Sequence, residues 1–156
     1  MPRSLRRSSA LSGVAFCAVL AGPIGSAHAS NATIRATVNS YNAKILRDEA
    51  GVLKGQAAYK KHNVKPLIRA LNREVTDLHA LRAKLTAESA SSPSGRKGKS
   101  DVTTGLGLIA SAYTALARDL KSSRAKVPVS AAKVNAAVAT DQTGRAKLKA
   151  GLKLLG

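Results

Sequence analysis

The chain has 156 residues, with 26 Lys and Arg against eight Asp and Glu, a formal net charge of +18. One Cys, one Phe and no Trp exclude a disulfide scaffold, a thiolate zinc site and haem attachment through Cys-x-x-Cys-His. A charge excess of this size costs stability through self-repulsion and draws a protein toward polyanions.

Arg3, Arg6 and Arg7 open the chain with no acid among them, and a weakly apolar stretch runs from Ala10 to Ile24. Ala27-His28-Ala29 then precedes Ser30. That is the order of a secretory signal: a positive start, a short apolar run, and small residues before the cut. Gly13, Gly22 and Pro23 interrupt the run, which falls short of the ~18–20 residues of a spanning helix. Residues 1–29 are therefore expected to be cleaved after Ala29, giving a secreted or cell-envelope protein. What remains is 127 residues with a net charge of +15, without the Cys or the Phe. Phe16 stands before Cys17 where a lipidated cysteine needs a small residue. Ser8, Ser9 and Ala10 follow the arginine pair where the twin-arginine route favours bulky apolar residues. Ordinary export is the expectation.

Apolar spacing predicts four helices. The first covers about 31–60, with Ile34, Val38, Tyr41, Ile45, Val52 and Tyr59 in steps of three, four or seven. The second covers 66–88; it opens at Pro66, whose missing N–H costs nothing at a first helical position. Its stripe is Ile68, Leu71, Val75, Leu78, Leu81 and Leu85. A polar, basic segment, 89–99, reads as a flexible linker. The third helix covers 101–125, from an N-cap at Ser100 or Asp101, and carries Val102, Leu106, Ile109, Tyr113, Leu116 and Leu120. The fourth covers 129–155 behind Pro128, with Val134, Val138, Leu148, Leu152 and Leu155 inward and a break point at 140–144.

His62–Lys65 and Lys126–Val127 are short connections, and short helix–helix loops make antiparallel neighbours. The expected fold is all-α: one domain, two helical hairpins in an antiparallel up-down four-helix bundle. Gly51, Gly55, Gly105 and Gly107 sit inside helices at up to ~1 kcal/mol each against Ala; they read either as close-approach sites or as tolerated imperfections. Asp77-Leu78-x-x-x-Arg82-Ala83-Lys84-Leu85 returns 42 residues later as Asp119-Leu120-x-x-x-Arg124-Ala125-Lys126-Val127. A duplicated hairpin would align the second helix with the fourth, not the third, so chance is the better reading.

Catalytic motifs are missing: no Gly-x-Ser-x-Gly, no His-Glu-x-x-His, no Gly-x-x-x-x-Gly-Lys. His62 and His79 lie ~20 Å apart at 1.5 Å per residue, too far to share an ion, and Glu-x-x-His pairs are lacking. No catalytic residue, metal ligand or cofactor is expected. Glu49 and Gln56 fall near the seam of the first helix. They could line a polar pocket for a small ligand or a reaction, with Tyr41, Tyr59 or Tyr113. The preferred reading puts them at the stripe's edge, in water or paired to Lys or Arg.

The basic residues remain the strongest signal. Lys60, Lys61, Arg96, Lys97, Lys99, Arg145, Lys147, Lys149 and Lys153 form the densest clusters and are the candidate contacts to a polyanion. Anionic envelope polymers or an anionic membrane surface are the expected partners of a monomer. Nucleic acid is the lesser alternative, since three Tyr offer little for base stacking. A sharper variant makes 145–156 a membrane-active segment, with Leu148, Leu152 and Leu155 on one face and lysines off it. In that variant Gly144 and Gly151 ease its detachment.

Overall fold

A computed structural model of the chain describes residues 29–123 and 129–156. The leader up to residue 28, the Lys126–Val127 connection and the second copy of the repeat from Arg124 onward lie outside the described residues. Four helices account for the rest: α1 Ala29–Tyr59, α2 Lys65–Ala87, α3 Pro93–Ser122 and α4 Ala131–Leu154. The protein is all-α, with no strand among the described residues. α1 packs on α2, α2 on α3, and α3 on α4.

Each helix buries a stripe, and these stripes differ instructively from the apolar spacing. α1 buries Ile34, Val38, Tyr41, Ile45, Asp48 and Val52, an unbroken run of four- and three-residue steps that passes through an acid. α2 buries Leu67, Leu71, Glu74, Leu78, Leu81 and Leu85. Ile68 and Val75 are only half-buried against that core. The predicted stripe of α2 holds at Leu71, Leu78, Leu81 and Leu85 and is one residue off at Ile68 and Val75, where Leu67 and Glu74 take the core positions.

Two further expectations are corrected. α3 begins at Pro93, not near residue 101, so most of the supposed linker 89–99 is helix. Ser92 caps it: the side chain accepts from Gly95 N at 3.0 Å, and Pro93 occupies the first helical position. Gly95 and Gly98 are buried there, which the polar composition concealed. Lys99 secures the same corner, its Nζ donating to Thr86 O at 2.9 Å and to Glu88 O; a lysine thus satisfies the orphan carbonyls ending α2. α4, for its part, runs through 140–144 without a break.

That continuity has a packing reason. Gly98 and Gly105 of α3, seven residues apart, face Gly151 and Gly144 of α4. A Cβ on Gly105 would stand 2.6 Å from Gly144 O, and one on Gly144 2.8 Å from Gly105 O. Gly98 and Gly151 repeat the arrangement at 2.9 and 2.6 Å. Backbone lies against backbone, which no side chain would permit. Gly144 and Gly151 are thus the contact itself, and Leu148, Leu152 and Leu155 between and beyond them are buried in the core.

Candidate functional site

Three buried acids stand at core positions of three different helices: Asp48 on α1, Glu74 on α2 and Asp141 on α4, only 2, 2 and 5 % exposed. α3 contributes Tyr113 at the corresponding seam position. Arg145, one turn beyond Asp141, ties the layer together. Its Nε donates to Asp141 Oδ2 at 2.9 Å, Nη1 to Glu49 Oε1 at 3.2 Å and Nη2 to the Tyr113 hydroxyl at 2.9 Å. One guanidinium thereby links α1, α3 and α4.

One cation cannot neutralise so many carboxyls in a medium that solvates charge poorly. Burial pushes the Glu74 carboxyl up to about 8, the Glu49 charge adding to the effect while Arg145 opposes it. Glu74 therefore holds a proton at neutral pH. Burial also raises Asp48, helped by the Asp77 carboxyl beside it and opposed by Arg47 and Arg73. The Tyr113 phenol is pushed up, by burial first and by Glu74 second. For Arg145 burial works to lower the pKa, but Tyr113, Asp141 and Glu49 outweigh it and hold the cation firmly charged. Both oxygens of Asp48, Glu74 Oε2 and Asp141 Oδ1 are buried without a hydrogen-bond partner among the described residues.

Asp48, Glu74 and Asp141 were missed by the sequence reading, although a signal existed. Ile45 to Val52 and Leu71 to Leu78 are seven-residue gaps in apolar stripes, and each gap holds an acid at its midpoint. Glu49 was singled out, and it is half-buried and paired to Arg145. Gln56 lies two turns further along α1, and Tyr41 two turns back. Tyr41 sits instead under two lysines, Lys44 Nζ at 5.0 Å and Lys84 Nζ at 5.3 Å from its ring centre. His62 and His79 are exposed. No group of three or more His, Cys, Asp or Glu among the described residues is placed to hold a metal ion.

The nine basic candidates divide. Lys60 and Lys61 are exposed in the turn between α1 and α2. Arg96, Lys97 and Lys99 fall on the first turns of α3, not on that turn, and Gly98 beside them packs on Gly151, near the end of α4. Lys97 is 3.4 Å from Asp101, and Lys147 is 3.7 Å from the same carboxylate. Lys99 is occupied with the α2 carbonyls. Arg145, expected as a surface contact to a polyanion, belongs to the internal layer, because its neighbours Glu49 and Asp141 demand a counter-charge there. Lys149 and Lys153 are exposed.

Across the surface the two signs of charge are segregated. None of the eight acids is exposed; every one is buried or half-buried. Eighteen Lys and Arg among the described residues are exposed. No helix among the described residues is long and apolar enough to cross a membrane. Compared with protein-family models, with curated proteins and with solved structures, the chain gives no match.

Proposed function

We propose that the protein is an exported, monomeric, non-enzymatic antiparallel four-helix bundle that associates electrostatically with anionic material of the cell envelope. The segregation of charge carries this reading. A surface that displays eighteen cations and no exposed acid presents one sign of potential to any partner, which concentrates polyanions by long-range attraction. Had the basic residues served only to solvate the helices, acids interspersed among them would have done so with less self-repulsion.

The up-down antiparallel arrangement is supported by the pairings already described. Partners fall in sequence along one helix as they rise along the next: Gly98 with Gly151 and Gly105 with Gly144, Gly51 with Ala70 and Gly55 with Leu67. Export rests on the leader composition alone. Membrane activity through 145–156 receives no support from the packing, since its three leucines are already covered.

The test is cosedimentation of the protein with isolated envelope across a salt series. Binding that persists near ~0.15 M salt and falls steeply above it is the expected outcome, because exposed charge contacts are screened over a Debye length of about 8 Å there. Absence of binding at that ionic strength would overturn the proposal.

A further inference from the structure

The eighteen exposed cations are not equally available. On α3 and α4 acids answer many of them: Asp101 holds Lys97 and Lys147, and Asp119 holds Lys133 at 3.2 Å and Arg118 at 3.9 Å. On α1, Arg47 reaches Asp48 and Asp77. Thirteen of the eighteen enter no ion pair among the described residues, and the α1–α2 hairpin tip gathers five of them. Between Glu49 and Arg73 the sequence holds no acid at all, yet it carries Lys54, Lys60, Lys61, Lys65 and Arg69. All five are exposed, and no ion pair among the described residues includes any of them.

A second observation falls on the same tip. Leu53, 49 % exposed, is the exposed large hydrophobic residue among the described residues. On the exposed side of α1 it stands beside Lys54 and one turn before Ala57, and Lys60 and Lys61 follow in the turn after the helix, all of them exposed. The face is held rigidly. A Cβ on Gly55 would stand 2.6 Å from Leu67 Cα, so the two helices touch at backbone level just behind it. The turn is closed by Lys61 N to Ala58 O, His62 N to Tyr59 O and Asn63 N to Ala58 O, at 3.0, 2.9 and 3.0 Å.

We propose that this hairpin tip, Leu53 with Lys54, Lys60, Lys61, Lys65 and Arg69, is a docking surface for an anionic phospholipid bilayer. The inference rests on the polyanion reading above and names its site and partner. Charge complementarity selects an anionic occupant, and Leu53 selects a lipid one. A soluble linear polyanion offers nothing apolar to a leucine projecting among lysines, whereas a headgroup layer lets the lysines stay at the phosphates while the leucine enters the acyl boundary. Base stacking has no platform here, because Tyr41 and Tyr113 are buried and Tyr59 is half-buried.

The experiment is flotation of the full protein with vesicles of phosphatidylglycerol and phosphatidylcholine, against pure phosphatidylcholine. Each surface cation contributes about 1 kcal/mol, roughly fivefold in partitioning, so the Lys60→Gln/Lys61→Gln double variant should lose on the order of 25-fold. Leu53→Gln should lose several-fold, and its loss should remain when salt has weakened the lysine contribution. A Lys149→Gln/Lys153→Gln double variant removes the same charge at the other end. Equal losses from the two double variants would overturn the assignment to the tip while leaving polyanion association standing. Envelope binding without vesicle binding, or competition by polyphosphate with no effect of Leu53→Gln, would overturn the lipid partner. Failure to bind both vesicles and envelope would remove the underlying reading as well.

Discussion

Replacing Glu74 with Gln tests the internal polar layer directly. The carboxyl is raised from 4.5 to about 8, chiefly by burial, so the folded chain keeps a proton that the unfolded chain releases. Stability then falls with rising pH, because between those two values the native state binds more protons than the unfolded one. At 1.36 kcal/mol per pH unit of difference, the full penalty approaches ~5 kcal/mol, and about 3.5 kcal/mol of it develops between pH 5 and pH 8. Gln keeps the shape and carries no charge at any pH. Its buried amide adds a cost that is constant with pH and cancels when the two proteins are compared across the range. Urea unfolding of both at pH 5, 6, 7 and 8 should show the variant gaining on the wild type by about 3 kcal/mol from the lowest pH to the highest. A difference in stability that stays flat across that range would mean Glu74 is ionised throughout, and the account of the layer would be wrong.

Two other perturbations read other parts of the fold. Gly105→Ala drives a methyl to within 2.6 Å of the α4 backbone and should cost about 1–3 kcal/mol or more as an overpacked contact; Gly107→Ala, whose Cβ meets only the mobile end of Arg82 at 3.4 Å, should gain up to ~1 kcal/mol from helix propensity. Thermal unfolding of the pair decides it, and equal effects would refute the backbone contact. Arg145→Met removes three hydrogen bonds and leaves Glu49 and Asp141 without their cation. Breaking such a pair costs about 3–5 kcal/mol when buried, and about 2–4 kcal/mol is expected at a side chain 24 % exposed, measured by urea unfolding at pH 7. A loss below ~0.5 kcal/mol would place Arg145 among ordinary surface cations.

The helical class was legible because apolar residues repeat at steps of three and four over long stretches and never alternate. The start of α3 was not legible from composition, since Ser-Ala-Ser-Ser-Pro-Ser-Gly reads as a linker. The same residues supply an N-cap, a first-turn proline and a glycine small enough to pass Asn31, whose Oδ1 lies 2.2 Å from where a Gly95 Cβ would stand. Composition reports average behaviour, whereas a cap depends on one hydroxyl in one register. The polar layer escaped for a related reason. Reading a stripe means collecting apolar residues, so an acid at a core position registers as a gap. The gaps at Asp48 and Glu74 were visible; that the chain would bury the acids was not, because burial follows from how four helices meet rather than from any one of them.

Taken together, the buried layer and the cationic surface are one consequence of how this chain distributes few acids. Each carboxyl drawn into the core or a helix interface is removed from the surface, where it would have neutralised a neighbouring lysine. Asp48, Glu49, Glu74 and Asp141 belong to the internal layer, where one arginine pairs with Glu49 and Asp141. Asp101 and Asp119 answer cations of α3 and α4, Asp77 answers Arg47, and Glu88 accepts from Thr37. Nothing remains for the hairpin tip, whose cations therefore face the solvent unanswered. Self-repulsion there is the cost of the arrangement, and the proposed anionic surface outside the protein would relieve it. Adding an acid at the tip should accordingly do two things at once: Ala57→Glu would raise stability slightly at low salt by answering Lys54, Lys60 and Lys61, and would weaken adsorption to anionic vesicles about fivefold or more. Gains in both stability and adsorption from that substitution would contradict the link between the two.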